Sequence, residues 1–572
     1  MKNIRILSMA LILAMLLPLA ACGAGSSEAA SSAPSVSAPA AAQEPSENEA
    51  GDAEAPVQLP ESVEKEPAQP VIDSSGLYPV FDELTTISAF LNIAPWGSMY
   101  IGPDAEFENA YAILAAEEYT NVYLDVTWSD PDTYNEKVNL LVAANDLPNI
   151  TRDLAGLYST GADGLIEDGI CVDLTEYFDE YAPEYAAIRN SSEYFRTQTT
   201  ASSGVVTTMY SYTEIPLYTR GPMARMDMLR KAGIDELPTT VAELHDAATA
   251  LKSSGIVPAA IVSPKLVADA YAGVDFIASG SVQMTWWNID GTVTPAVRLD
   301  SNFEWAKEMK KWNDEGLFLD DWYNPAPFYD FDVLADKLAI AHGPYTMASD
   351  ASKATAVDPD TFEFVPMANV VLNEGDTIKT QNNAYGGKGD GDWCITTADE
   401  DIIPQIVSYI NWFFTEEGIM ISNFGEEGVS YYIDDNGDVQ YTDLMLKDPN
   451  GYGSMAVYAI FTNNNDNPFY YRMERTTLTY DNEVEATVYD TWLSNMTSEY
   501  ICNYTLDIDE TTEYNSYATD MITTIQEYMT KFMTGDMDLT EQSWQDFQDK
   551  LDSLGLGRMQ EIVQGAFDRQ NG

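Results

Sequence analysis

The sequence predicts an α/β fold of two or more lobes, and three observations carry that expectation. The chain has 572 residues, 45% hydrophobic and 11% aromatic, enough for a core larger than one ordinary domain needs. Apolar residues switch between a period of two and a helical period along residues 85–150. Capping boxes and glycine stops then mark further helices downstream.

The alternation starts near Tyr78. Thr85-Thr86-Ile87-Ser88-Ala89-Phe90-Leu91 reads as a first strand, and a helix over 107–118 follows, with Phe107, Tyr111 and Leu114 on one face. Val122, Leu124, Val126 and Trp128 alternate with Tyr123, Asp125 and Thr127, the pattern of a half-covered strand. Tyr134, Val138 and Leu141 set the face of a second helix, which stops at Asn145-Asp146-Leu147-Pro148 before another short strand. Strand, helix, strand, helix with short connections implies a mostly parallel sheet. Thr240-Val241-Ala242-Glu243 opens a helix that closes at Gly255, and Thr397-Ala398-Asp399-Glu400 reads as a second capping box. The helix behind the second box carries Ile406, Ile410 and Phe414 and is expected to end near Gly418. Asn436-Gly437 marks a hairpin turn over 433–439, and its glycine falls one position early for an EF-hand calcium loop.

Ahead of the folded part, Lys2 and Arg5 precede an apolar run over 6–19, and small residues lead to Cys22. This is the pattern of a secretory signal, too short for a comfortable membrane span. Leu19-Ala20-Ala21-Cys22 resembles the bacterial lipobox, which implies cleavage before Cys22 and acylation of that cysteine. The alternative is an ordinary secreted protein with an incidental cysteine. Residues 23–75 are Ala, Ser, Pro and Glu with Lys65 as the one cation, so a disordered acidic tether is expected. Composition also excludes classes. A formal charge of −64 repels nucleic acid and anionic membranes. Two histidines, His245 and His342, argue against His-based metal sites and Ser-His-Asp triads. With 92 acidic residues, a carboxylate pair carries no information about hydrolysis. Cys171, Cys394 and Cys502 are too few and too irregularly spaced for a disulfide framework, although one pair could form.

Three stretches then resemble extracellular solute-binding lipoproteins. The first is Tyr134-Asn135-Glu136-Lys137-Val138-Asn139-Leu140-Leu141-Val142-Ala143-Ala144-Asn145-Asp146-Leu147-Pro148-Asn149. The second is Arg225-Met226-Asp227-Met228-Leu229-Arg230-Lys231-Ala232-Gly233-Ile234 with Leu237-Pro238-Thr239-Thr240 behind it. The third joins Gly391-Asp392-Trp393-Cys394-Ile395 to Phe413-Phe414-Thr415-Glu416-Glu417-Gly418 and Gly425-Glu426-Glu427-Gly428-Val429, and 562–569 also fits. In order and spacing the chain is similar to the carbohydrate-type binding proteins of ABC importers, in their long lipoprotein branch.

The resemblance implies a two-lobed periplasmic-binding-protein-like fold of type II, with hinge-linked lobes and a ligand cleft between them. Residues 1–21 would be the signal peptide and 22–77 the lipidated cysteine and tether. Residues 78–212 and 360–416 would form lobe 1, and 213–359 with 417–572 lobe 2. Crossings are expected near 210–216, 357–364 and 415–424. The implied partners are an oligosaccharide and a membrane permease, with lipid holding a monomer at the extracellular face of the cell membrane. No cofactor, no metal and no enzymatic activity are expected.

Sugar rings need flat apolar surface for their C–H faces and polar side chains for their hydroxyls. Aromatics on irregular segments are therefore the candidates. They are Trp96 after the first strand, Tyr210 and Tyr212 with Glu214 and Arg220 at the first crossing, the pair Trp286 and Trp287, and Trp393. Tyr345 joins them because Gly343-Pro344-Tyr345 resembles the Gly-Pro-aromatic turn of maltose-binding-type proteins. Trp128, Trp412, His342 and Cys394 read as structural. A surface glycoside hydrolase, a peptide receptor, and a sensor or adhesin on the same fold remain the alternatives.

Overall fold

The computed structural model describes residues 76–92, 110–214, 220–272, 284–323, 330–379, 387–447, 461–462, 467–497 and 502–571, all inside one compact unit, Ala68–Gly572. The signal, Cys22, most of the tether and Trp96 lie outside the described residues.

In chain order the first strands are β1 (Thr85–Asn92), β2 (Val122–Ser129), β3 (Ile150–Thr151), β4 (Thr208–Thr213), β5 (Arg220–Arg225) and β6 (Ala259–Ile261). A hairpin of β7 (Trp286–Ile289) and β8 (Thr292–Pro295) follows, then β9 (Leu338–Pro344), β10 (Phe364–Pro366), β11 (Ile378–Lys379) and β12 (Gly387–Ile395). The last are β13 (Tyr431–Ile433), β14 (Val439–Tyr441), β15 (Tyr470–Tyr471) and β16 (Met496–Thr497).

Two sheets organise these strands. The first has the order β15-β4-β12-β3-β1-β2, and the second β10-β5-β9-β6. In the first sheet β1 runs parallel to β2 and β3, and β15 parallel to β4, while β12 enters antiparallel between β3 and β4. The chain thus leaves the first sheet after β4, builds the second, and returns through β12.

Each sheet is covered on both faces, and the alternation along its strands shows why. Ile87, Ala89 and Leu91 of β1 join Trp393 and Ile395 of β12 in one core, whereas Phe90 and Cys394 face the opposite core with Tyr134 and Leu165. In the second sheet Ala224 and Ile340 face one core while Met223 and Ala341 face the other. Helices supply the cover. Helix Val241–Ser254 has the expected Thr240/Glu243 capping box and ends at Gly255 with φ 65. It buries Leu244, Ala247, Ala248 and Leu251 on one stripe, each leucine contributing about 2 kcal/mol of burial. Helix Ile508–Thr534 is capped by Asp507 and Glu510 and sends Met521, Ile525, Met529 and Phe532 into the same core.

Several local expectations need correction. The helix placed at 107–118 is Tyr111–Thr120, and it buries Ala112, Ile113, Ala115 and Ala116 while Leu114 is 45% exposed. The box at Thr397 does not form: Thr396 caps a 3₁₀ turn that kinks at Asp399, and the helix behind it, Ile403–Trp412, has Pro404 in its first turn. That helix stops before Gly418, and a separate helix, Glu416–Phe424, follows under the Thr415 cap. Gly418 is demanded by close approach there, because a Cβ would stand 1.8 Å from the Trp412 carbonyl oxygen.

The lobe boundaries shift for the same kind of reason. Phe364–Pro366 pairs with β5 in the second sheet and the chain is back in the first sheet at Gly387, so the return follows Pro366, past the expected 357–364. Helix Glu416–Phe424 stays with the first lobe, where Ile421 joins its core, and Tyr470–Tyr471 pairs with β4. The third crossing therefore follows Tyr471, and it is not at 415–424. The first crossing falls between Thr213 and Arg220, about where it was expected. Among the described residues no helix is long and apolar enough to cross a membrane.

Candidate functional site

Polar side chains gather where β1, β3 and β4 end and β12 begins. In open α/β sheets, ligands bind outside the carboxyl ends of the strands, where the order of connection switches. Asn92 closes β1 and accepts from Arg152 Nη1 at 2.9 Å. Arg152, just past β3, also places Nε 3.5 Å from Asp392 Oδ1 and donates to the Asp390 carbonyl at 3.3 Å. Asp392 Oδ2 accepts from the Asp153 amide at 2.8 Å. Burial pushes the Asp392 carboxyl up to about 6, against the pull of Arg152, and burial also raises Asp153. Asp153 holds φ at 50, in the left-handed region that Asp tolerates. Tyr134 braces this turn from below, donating to the Arg152 carbonyl at 2.7 Å and stacking on Phe90.

Tyr210 belongs to this edge. Lys388 Nζ lies 4.1 Å from its ring centroid, while its backbone amide donates to the Tyr185 hydroxyl at 3.1 Å. Tyr212 lies two residues along the same strand, between Phe195 and Tyr470 with ring centroids 5.1 Å from each. Glu214 has a different job. Its carboxylate accepts from the Tyr470 hydroxyl at 3.1 Å and the Met473 amide at 3.0 Å, which laces the first crossing to the third.

The second sheet presents its own edge, where β5 begins and β6 and β9 end. Arg220 makes a two-pronged ion pair with Asp330, at 3.0 and 2.6 Å, and donates to the His342 carbonyl at 3.0 Å. Burial holds His342 neutral, its pKa lowered to about 3. Tyr345 follows β9 and packs against Tyr480 and Tyr489, with ring centroids 6.1 and 5.8 Å away. Behind them Trp492 is fully buried and donates from Nε1 to the Pro222 carbonyl at 2.9 Å. Gly221 is fixed by this ring, since a Cβ would lie 2.3 Å from the indole.

Five of the nine candidate ring and polar residues therefore sit at the two edges: Tyr210, Tyr212, Glu214, Arg220 and Tyr345. Trp96 lies outside the described residues. Three tryptophans are corrected to core. Trp393 is fully buried, stacked on Tyr409 and edge-on to Phe413. Trp286 is buried in the second lobe and donates to the Tyr514 hydroxyl at 3.0 Å, and Trp287 beside it is 3% exposed. Cys394 is buried as read, with its sulfur 3.3 Å from that of Cys171. Asn92, Arg152, Asp392, Lys388 and Tyr480 were missed. Asp392 lies inside the Gly391-Asp392-Trp393 stretch and Lys388 just before it, but one acid among 92 and one lysine carry no spacing signal of their own. Among the described residues no group of three or more His, Cys, Asp or Glu could hold a metal ion.

Two lobes, three crossings and polar strand edges at those crossings define a class, the type II solute-binding fold, and comparison with solved structures agrees. The chain has the fold of ABC-transporter solute-binding proteins. It is similar to the alginate-binding protein AlgQ2, at 20% identity and a TM-score of 0.68 over 86% of this chain and 99% of that one. It is also similar to an HMO-binding, ABC-transporter-associated solute-binding protein from Bifidobacterium longum infantis, at 14% identity and 0.67, covering 85% and 99% of the two chains. A third is the S. pneumoniae substrate-binding protein FusA, as an EF-hand mutant in complex with fructo-nystose, at 15% identity and 0.61, over 85% and 99%. No protein-family profile and no curated protein sequence matches the chain.

Proposed function

We propose that this chain is a lipid-anchored extracellular receptor that captures an oligosaccharide between its two strand edges and delivers it to an ABC permease. The observation that carries the reading is the pairing of a polar edge with an aromatic one at the same crossings. Arg152, Lys388 and Asn92 offer polar groups for hydroxyls, with Asp392 holding Arg152 in place, and Tyr345 and Tyr210 offer ring faces. The similar solved proteins include the alginate-binding protein AlgQ2 and FusA in complex with fructo-nystose, which supports a carbohydrate over a peptide. Function would be hinge closure around the ligand, a population shift without bond chemistry. The lipobox-like Leu19-Ala20-Ala21-Cys22 and the acidic run behind it support the anchor at the outer face of a membrane.

A hydrolase would need a free acid beside a second carboxylate, and Asp392 with Asp153 is the pair to watch. Asp392 is already committed to Arg152 and to the Asp153 amide, which favours a structural role for it. The test is a thermal-shift screen of the chain without residues 1–22 against oligosaccharides and peptides, with product analysis of every hit. Stabilisation by an oligosaccharide recovered intact supports the reading. Stabilisation by peptides alone, or cleavage of the glycan, overturns it.

A further inference from the structure

Away from both strand edges, a cavity of about 540 Å³ inverts the composition of the chain. Its wall includes Arg189, Arg196, Thr200 and Ser202 of the first lobe and Thr505 and Arg569 of the second. Three of its lining residues are arginines and none is Asp or Glu, in a protein with 28 Lys and Arg against 92 Asp and Glu. A wall drawn at random from this sequence would be acidic.

The state of each guanidinium sharpens the point. Arg189 is only 8% exposed, yet its contacts among the described residues are neutral. Nε donates to Thr199 Oγ1 at 3.3 Å, Nη2 donates to Thr200 Oγ1, and the guanidinium carbon stands 5.7 Å from the Phe178 ring centroid. Asp173 acts on it only from a distance, and that carboxylate accepts instead from Thr175 and the Val206 amide. A guanidinium cannot shed its proton in a protein, so its burial calls for a counter-charge. Arg196, on the exposed side, has no carboxylate partner among the described residues. Arg569 is already paired two-pronged with Glu510, at 2.6 Å on each prong. The wall therefore keeps two guanidiniums without a carboxylate partner among the described residues, while the Thr200 and Ser202 hydroxyls already donate to the Arg196 carbonyl and to Asp163.

We propose that this cavity binds an oxyanion: phosphate, sulfate or the carboxylate of an acidic sugar. Planar guanidinium forks match the oxygens of such groups, so the arginines carry the recognition. The net charge of −64 repels anions at long range, so the site works by contact and binds in the millimolar range. Because Arg196 and Arg569 come from different lobes, an anion held here ties the lobes together.

The experiment is thermal unfolding of the mature chain at constant ionic strength, with chloride replaced in turn by phosphate, sulfate or glucuronate. At about 20 mM anion the expected rise in Tm is about 2 °C. Arg196→Gln is expected to lose at least half of that rise, and Arg189→Gln to lose it all. A rise with glucuronate alone identifies an acidic sugar as the occupant, and a rise with phosphate and sulfate a tetrahedral oxyanion. Phosphate and sulfate also stabilise proteins by exclusion from the surface, so an equal rise in Arg196→Gln overturns the proposal. No rise over chloride with any of the three anions overturns it too.

Discussion

The two strand edges differ in what they offer a ligand, and under the proposed function neither lobe would bind by itself. The edge of the first sheet is rich in charged and amide side chains: Arg152 joins Asn92 and Asp392, and Lys388 lies over the ring of Tyr210. The edge of the second sheet is rich in rings, Tyr345 against Tyr480 and Tyr489 with Trp492 behind, and its ion pair, Arg220 with Asp330, is already satisfied. Charged side chains dominate the first edge and stacked rings the second. A sugar ring asks for both, and short crossings keep the two within reach.

That division can be broken first from the aromatic side. Trp492→Ala removes a fully buried indole and its hydrogen bond to Pro222, and is expected to cost about 4 kcal/mol of stability. Urea unfolding checks it, and a loss under 1 kcal/mol would mean the ring cluster is not what holds the second edge. On the polar side, Arg152→Met leaves Asp392 buried without its cation. The expected cost is about 3 kcal/mol at pH 8. It shrinks at pH 5, where the Asp392 carboxyl, already pushed up to about 6, takes a proton. An equal cost at both pH values would remove Asp392 from the network.

Glu485 lies beneath the aromatic edge, 2% exposed, accepting from the Asp481 amide at 3.0 Å. Burial pushes it up to about 7 from 4.5. Between those values the folded state keeps the proton that the unfolded state has released. Stability therefore falls as pH rises through this window, by about 2 kcal/mol between pH 5 and pH 8. Glu485→Gln keeps the acceptor and is expected to flatten that part of the profile, measured by paired unfolding curves. The smallest stability effect belongs to Lys388→Ala, within about 0.5 kcal/mol, while affinity for the captured sugar is expected to drop about tenfold.

Much of the framework was legible in the residues. The alternation in Val122–Ser129 and the Thr240/Glu243 box are local signals, and the fold follows them. The crossings were harder because they are set by sheet pairing over long separations. Tyr470 joins β4 and Phe364 joins β5, and nothing in either segment's own pattern says which sheet it will extend. Aromatic candidates failed for a related reason. Trp286, Trp287 and Trp393 look like Tyr345 in sequence, a ring near a glycine or a strand end, but only burial tells a core ring from an edge ring. Ion pairs such as Arg152 with Asp392 join residues far apart in the chain, and no spacing rule finds them among 92 acids.

The most direct test of the two-edge site is titration calorimetry of the oligosaccharide found by the screen, against the wild-type chain, Tyr210→Ala and Tyr345→Ala. The account predicts that each substitution alone weakens binding at least tenfold, because one ligand spans a ring from each lobe. Full affinity in either variant would contradict it.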